Sequence, residues 1–128
     1  MVRSLIILMA GLVLPATGCD SHSEQVICPA VILPAVVVEV RDTDTGGYMA
    51  DRTSGYIQER GYADPFVPHS VSASGVLRTL QAGMGRAGTY LVLLEADGYA
   101  TWERDNVVVS TDVCGVVTER LTAEMQPL

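Results

Sequence analysis

Val36, Val38 and Val40 alternate with Val37, Glu39 and Arg41. A period of two sends successive side chains to opposite faces, and β-branched residues fit a pleated, half-buried surface. Residues 35–41 are therefore predicted to be a strand, with Pro34 tolerated at its start. Asp42-Thr43-Asp44-Thr45-Gly46-Gly47 ends it as a turn cluster. The same grammar returns later. Tyr90, Val92, Leu94 and Ala96 point one way and Glu95 the other, then Asp97-Gly98 turns the chain. Residues 99–103, holding Trp102, and residues 107–110 make two more strands, with Arg104-Asp105-Asn106 as the turn between them. Residues 53–59, 71–80 and 113–125 are weaker strands. Gly55 interrupts the first of these. In the last, Glu119 breaks the parity of Val117, Leu121, Ala123 and Met125, where a bulge is expected. Pro65 and Pro68 mark a loop, and residues 81–88 form a glycine-rich loop. Turn signals every 8–12 residues or so, without a helical period, predict an all-β sandwich.

Before that pattern lies a different kind of segment. Arg3 precedes the uncharged run LIILMAGLVL, residues 5–14, and Pro15 follows it. Ten helical residues span about 15 Å, half a hydrocarbon core, which suits a signal peptide better than a membrane span. Ala16-Thr17-Gly18-Cys19 resembles a lipobox, although Ala16 stands where that motif usually carries leucine. Residues 1–18 are thus expected to be removed as a lipoprotein signal peptide. Cys19 would then carry the lipid, palmitate included, at the new N-terminus. Secretion with cleavage near Ala16 or Gly18 is the second reading, and a retained membrane helix, disfavoured by the charge that follows at Asp20 and Glu24, is the third. Residues 19–27 form a short polar tether.

Removing residues 1–18 leaves 110 of the 128 residues, enough for one domain. The chain has no lysine. All eight basic residues are arginine, against fifteen Asp and Glu, and the formal net charge is −7. An acidic chain is a poor partner for nucleic acid or for anionic headgroups. There are three cysteines. With Cys19 lipidated, Cys28 and Cys114 remain as the one available pair, and an oxidising compartment favours their disulfide. Two unpaired buried thiols are the alternative. No metal is expected there, since neither a C-x-x-C spacing nor a suitable histidine is near.

Three stretches together are similar to the carboxypeptidase regulatory-like domain: residues 36–42 with Thr45-Gly46, then Ala87-Gly88-Thr89-Tyr90-Leu91-Val92, then Ala96-Asp97-Gly98-Tyr99. The resemblance spans residues 28–126. Cys28-Pro29-Ala30, Gly98-Tyr99 with Trp102, and Asp112-Val113-Cys114 resemble small bacterial lipoproteins of that kind. The resemblance implies a seven-stranded transthyretin-like (prealbumin-like) sandwich over residues 28–128, with no catalytic residues and no cofactor. Gly47-Tyr48 departs from the family, which often has proline after its Thr-Gly.

The remaining motifs carry little chemistry. Gly83-Met84-Gly85-Arg86-Ala87-Gly88 matches a dinucleotide fingerprint, but a strand follows it where a helix is needed. Asp42 and Asp44 begin like a calcium loop, yet Gly46 and Thr53 fall where oxygen ligands belong. His69-Ser70 would need an orienting acid such as Asp64 to support nucleophilic catalysis. Tyr99 and Trp102 suit a stacked place in the core. Tyr48, Tyr56, Tyr62 and Trp102 are the candidates for an exposed aromatic binding surface. The expected function is that of a non-catalytic lipoprotein, held to a bacterial envelope membrane through Cys19 on its periplasmic or surface side. It would bind an unknown envelope protein or glycan, or act structurally. The alternatives are an accessory subunit of an envelope enzyme, a glycan- or peptide-binding domain, and a calcium-assisted adhesion domain.

Overall fold

A computed structural model describes residues 25–128 and, before them, only Gly11 and Gly18. The expected lipid site Cys19, and the expected signal peptide apart from those two glycines, lie outside the described residues. Ten strands follow one another: β1 (Pro34–Asp42), β2 (Ser54–Glu59), β3 (Tyr62–Pro65), β4 (Val67–Val71), β5 (Leu77–Met84), β6 (Gly88–Glu95), β7 (Trp102–Val109), β8 (Thr111–Asp112), β9 (Gly115–Val116) and β10 (Glu119–Met125). One 3-10 turn, Ala50–Arg52, lies between β1 and β2. Among the described residues no helix is long and apolar enough to cross a membrane.

The strands form two four-stranded sheets, ordered β10-β1-β5-β4 and β3-β2-β6-β7, and β8 pairs with β9 as a small hairpin. β1 runs parallel to β10, from Val36 opposite Glu119 to Asp42 opposite Met125. The other pairings are antiparallel. The alternation in β1 decides which face is buried: Val36, Val38 and Val40 are sealed inside. Leu80 and Ala82 of β5 and Leu121, Ala123 and Met125 of β10 join them. Against this layer the second sheet packs Ile57, Tyr90, Val92, Leu94, Val107 and Val109. Each large apolar side chain so buried stabilises the fold by about 1.5–3 kcal/mol.

The all-β sandwich is as the sequence predicts, but the described residues form ten strands rather than seven, eight in the two main sheets and two in the hairpin. Pro65 and Pro68 lie in strands β3 and β4, where a loop is expected. Both strands are sheet edges. There a proline with no N–H to give breaks no ladder. The expected strand 71–80 is divided by a turn, in which Ser72 N donates to the Val76 carbonyl at 2.7 Å. β5 then continues to Met84, into the predicted loop. The turn expected at Arg104-Asp105-Asn106 is instead a bulge within β7. The pairing slips between Tyr90 and Val92, and Asn106 takes φ 52°. No bulge is needed in residues 113–125, because two strands replace one and Val117 lies exposed between them.

Candidate functional site

The turn after β1 and the Asp97-Gly98 turn meet at one end of the sandwich. Asp42 Oδ1 accepts from the backbone N–H of Asp44 at 2.8 Å and of Thr45 at 3.2 Å. Its Oδ2 accepts from the Tyr99 hydroxyl, which also receives Arg52 Nη2 at 3.1 Å. The Tyr99 bond holds the Asp42 carboxyl below its ordinary range. Desolvation opposes this, and the two turn amides and the Arg52 charge assist it. The same bond, followed by burial, pushes the Tyr99 phenol up. An open cleft of about 430 Å³ lies alongside, bordered by Arg52, Ser54, Glu95, Asp97 and Thr101. Both oxygens of Asp42 thus serve the turn and its neighbour. Among the described residues no three His, Cys, Asp or Glu side chains converge to hold a metal.

A second polar cluster covers the outer face of the first sheet. Glu39 sits between Arg41, in a close ion pair, and Arg78 at 3.2 Å. Desolvation would raise the Glu39 carboxyl, but hydrogen bonds and charge from these two arginines outweigh it and hold the group low. Beside them runs a cleft of about 320 Å³, lined by Val37, Glu39, Ser70, Thr79, Arg120 and Thr122. The buried Thr79 hydroxyl bonds to Ser70 Oγ at 2.5 Å and to His69 Nδ1 at 2.8 Å. The side chain paired with His69 is therefore Thr79, not Asp64. Asp64 instead accepts the backbone N–H of Gly83 at 2.7 Å. A chain of two hydroxyls and an imidazole can bind polar groups. Among the described residues the partner of His69 Nδ1 is the Thr79 hydroxyl rather than a carboxylate.

Tyr48, Tyr56, Tyr62 and Trp102 are not brought together. Tyr48 lies beneath the Arg41 guanidinium at 4.4 Å. Tyr56 is half-buried opposite Leu93 and Pro65. Tyr62 packs against the core, 6.3 Å from the Tyr90 ring and 3.8 Å from the Arg86 guanidinium. Trp102 and Tyr99 also pack against the core, with Arg104 5.1 Å from the tryptophan ring. Arginine–aromatic stacking is what the sequence reasoning missed. The all-arginine complement was its signal, since a planar guanidinium lies on rings as an ammonium does not.

The opposite end of the sandwich sets exposed apolar side chains beside the Arg86–Glu59 ion pair and the Asp112 carboxylate, which accepts the Cys114 N–H at 2.8 Å. Cys28 and Cys114 form a disulfide, with Cα atoms 5.1 Å apart across 86 positions of sequence. It ties the segment entering β1 to the β8–β9 hairpin. Val31, Ile32 and Leu33 line a small cleft of about 150 Å³ with Gly85, Gly115 and Val116. No protein-family model matches the chain, and no curated protein matches it.

Proposed function

We propose that this chain is an exported lipoprotein, anchored through Cys19 in a bacterial envelope. On this reading its sandwich is a carboxypeptidase regulatory-like domain, transthyretin-like in type, that binds or braces a partner without catalysis. The carrying observation is the Cys28–Cys114 disulfide. Disulfides persist in oxidising compartments, which supports export. Cys19 is the remaining cysteine of the three, directly behind the apolar run and its small residues. Two or three acyl chains on that thiol hold a protein durably, where one would hold it only marginally. Fractionation of cells tests this. The parent chain is expected in the membrane pellet and Cys19→Ala in the soluble fraction. A parent chain that is soluble, or a variant that stays in the membrane, contradicts the anchor.

A second reading, recognition of a polar ligand such as a glycan or peptide, is favoured by the hydroxyl-lined cleft beside Arg120. Arg120→Ala combined with Thr122→Val is expected to weaken retention on an immobilised envelope glycan at least tenfold while leaving the melting temperature unchanged. Equal retention argues against that cleft.

A further inference from the structure

We infer that the disulfide end of the sandwich is a membrane-contact face, resting on the bilayer beside the anchor. This rests on the lipid-anchor reading of Cys19 and goes one step beyond it. Residues 25–38 carry no charge, although the chain as a whole is strongly acidic. Within this stretch Ile27 is 87% exposed, Ile32 71%, and Val26 and Val31 62% each. Across the disulfide, Val113 at the tip of the hairpin is 78% exposed. Apolar side chains gathered at one end, around a rigid cross-link, call for a cover other than water.

Chain length says what covers them. Val26 lies seven positions after Cys19. A fully extended chain spans at most about 3.6 Å per residue, so Val26 stays within about 25 Å of the acylated thiol. The apolar end is therefore the end the anchor holds against the lipid. The carboxylates of the far end, Asp42, Asp44 and Asp97, are kept away from it. Of the two segments, residues 25–38 are uncharged, and the hairpin carries one exposed carboxylate, Asp112, whose Oδ1 accepts the Cys114 N–H at 2.8 Å; such a face suits a zwitterionic interface and gains nothing from anionic headgroups.

Fluorescence quenching in vesicles tests the face. The lipidated chain and its Ile32→Trp variant are reconstituted into phosphatidylcholine vesicles whose acyl chains are brominated. Trp102 serves as the internal control. It stands at the far end of β7, seven residues from Val109, or about 23 Å at strand rise. The parent emission is expected to be quenched by less than a tenth, and the emission added at position 32 by more than half. Val113→Trp is expected to behave like Ile32→Trp. The intact mass of the same samples reports the acyl chains on Cys19. Unquenched tryptophans at 32 and 113 with the acyl mass present overturn the contact face and leave the anchor standing. Self-association through that end, seen by sedimentation with no quenching, assigns the face to a second copy and overturns it too. A missing acyl mass overturns both readings.

Discussion

Asp42 and Tyr99 join two turns that are 57 positions apart, and their bond is written into the acidity of both. The folded Asp42 carboxyl is lowered, so its stabilisation is present above the ordinary carboxylate range and is lost as pH falls through the folded value. The folded Tyr99 phenol is raised, so its share is full below the ordinary tyrosine range and is lost as pH rises through the folded value. Thermal melts across pH should therefore place the parent above Tyr99→Phe by the widest margin between about pH 5 and 9, narrowing on both sides. A margin independent of pH would remove Asp42 from the explanation. Tyr90 makes a second sharp case, because its ring is buried while its hydroxyl donates to the Arg86 carbonyl at 2.7 Å. Tyr90→Phe leaves that carbonyl and the Arg86 guanidinium short of a partner, a loss of about 1–2 kcal/mol measurable by urea unfolding. Gly83 is constrained by space as well as by its φ of +75°. A Cβ there would lie 2.7 Å from Ile57 Cδ1 and 2.8 Å from Ala35 Cβ. Gly83→Val is expected to destabilise by about 2–4 kcal/mol, through strain and overpacking together. The glycine motif at Gly83 and Gly85 is thus explained by packing and turning rather than by phosphate.

Strands whose packing is carried by their own alternation were legible in the sequence. β1 and β6 bury Val36, Val38, Val40, Tyr90, Val92 and Leu94, in the parity their side chains announce. Edge strands were not legible. β3 and β4 have no fully buried residue and contain prolines, and they are held by pairing to β2 and β5, partners that no local pattern names. The bulge in β7 was hidden for the same reason, since Arg104-Asp105-Asn106 has the composition of a turn and only β6 alongside keeps it extended. Of the candidate sites, the Cys28–Cys114 pairing was legible once Cys19 was set aside as the expected lipid site. The Asp42–Tyr99 link, the Glu39 arginine clamp and the His69–Thr79–Ser70 chain are meetings across strands, which spacing along one strand does not encode. The disulfide spans 86 positions and closes a loop worth about 4.5 kcal/mol in the chain-entropy treatment. Reduction with dithiothreitol should lower the melting temperature by roughly 20 °C, given about 4–8 °C per kcal/mol for a domain of this size. A shift of only a degree or two would mean the reduced chain is already restrained there.

Taken whole, the molecule has two unlike ends. One gathers carboxylates, Tyr99 and Arg52 around an open cleft, and the other gathers apolar side chains around a disulfide. A tether leaving the apolar end toward a lipidated Cys19 would give this polarity a direction, with the polar end and the Glu39–Arg120 face turned to partners. The parallel pairing of β1 with β10 joins the start of the domain to its finish. The most direct measurement is the intact mass of the protein extracted from its native membrane. The expected result is a chain beginning at Cys19, heavier by its acyl groups and lighter by the two hydrogens of the Cys28–Cys114 bond. A chain that keeps residues 1–18, or one that begins at an unmodified Cys19, would contradict it.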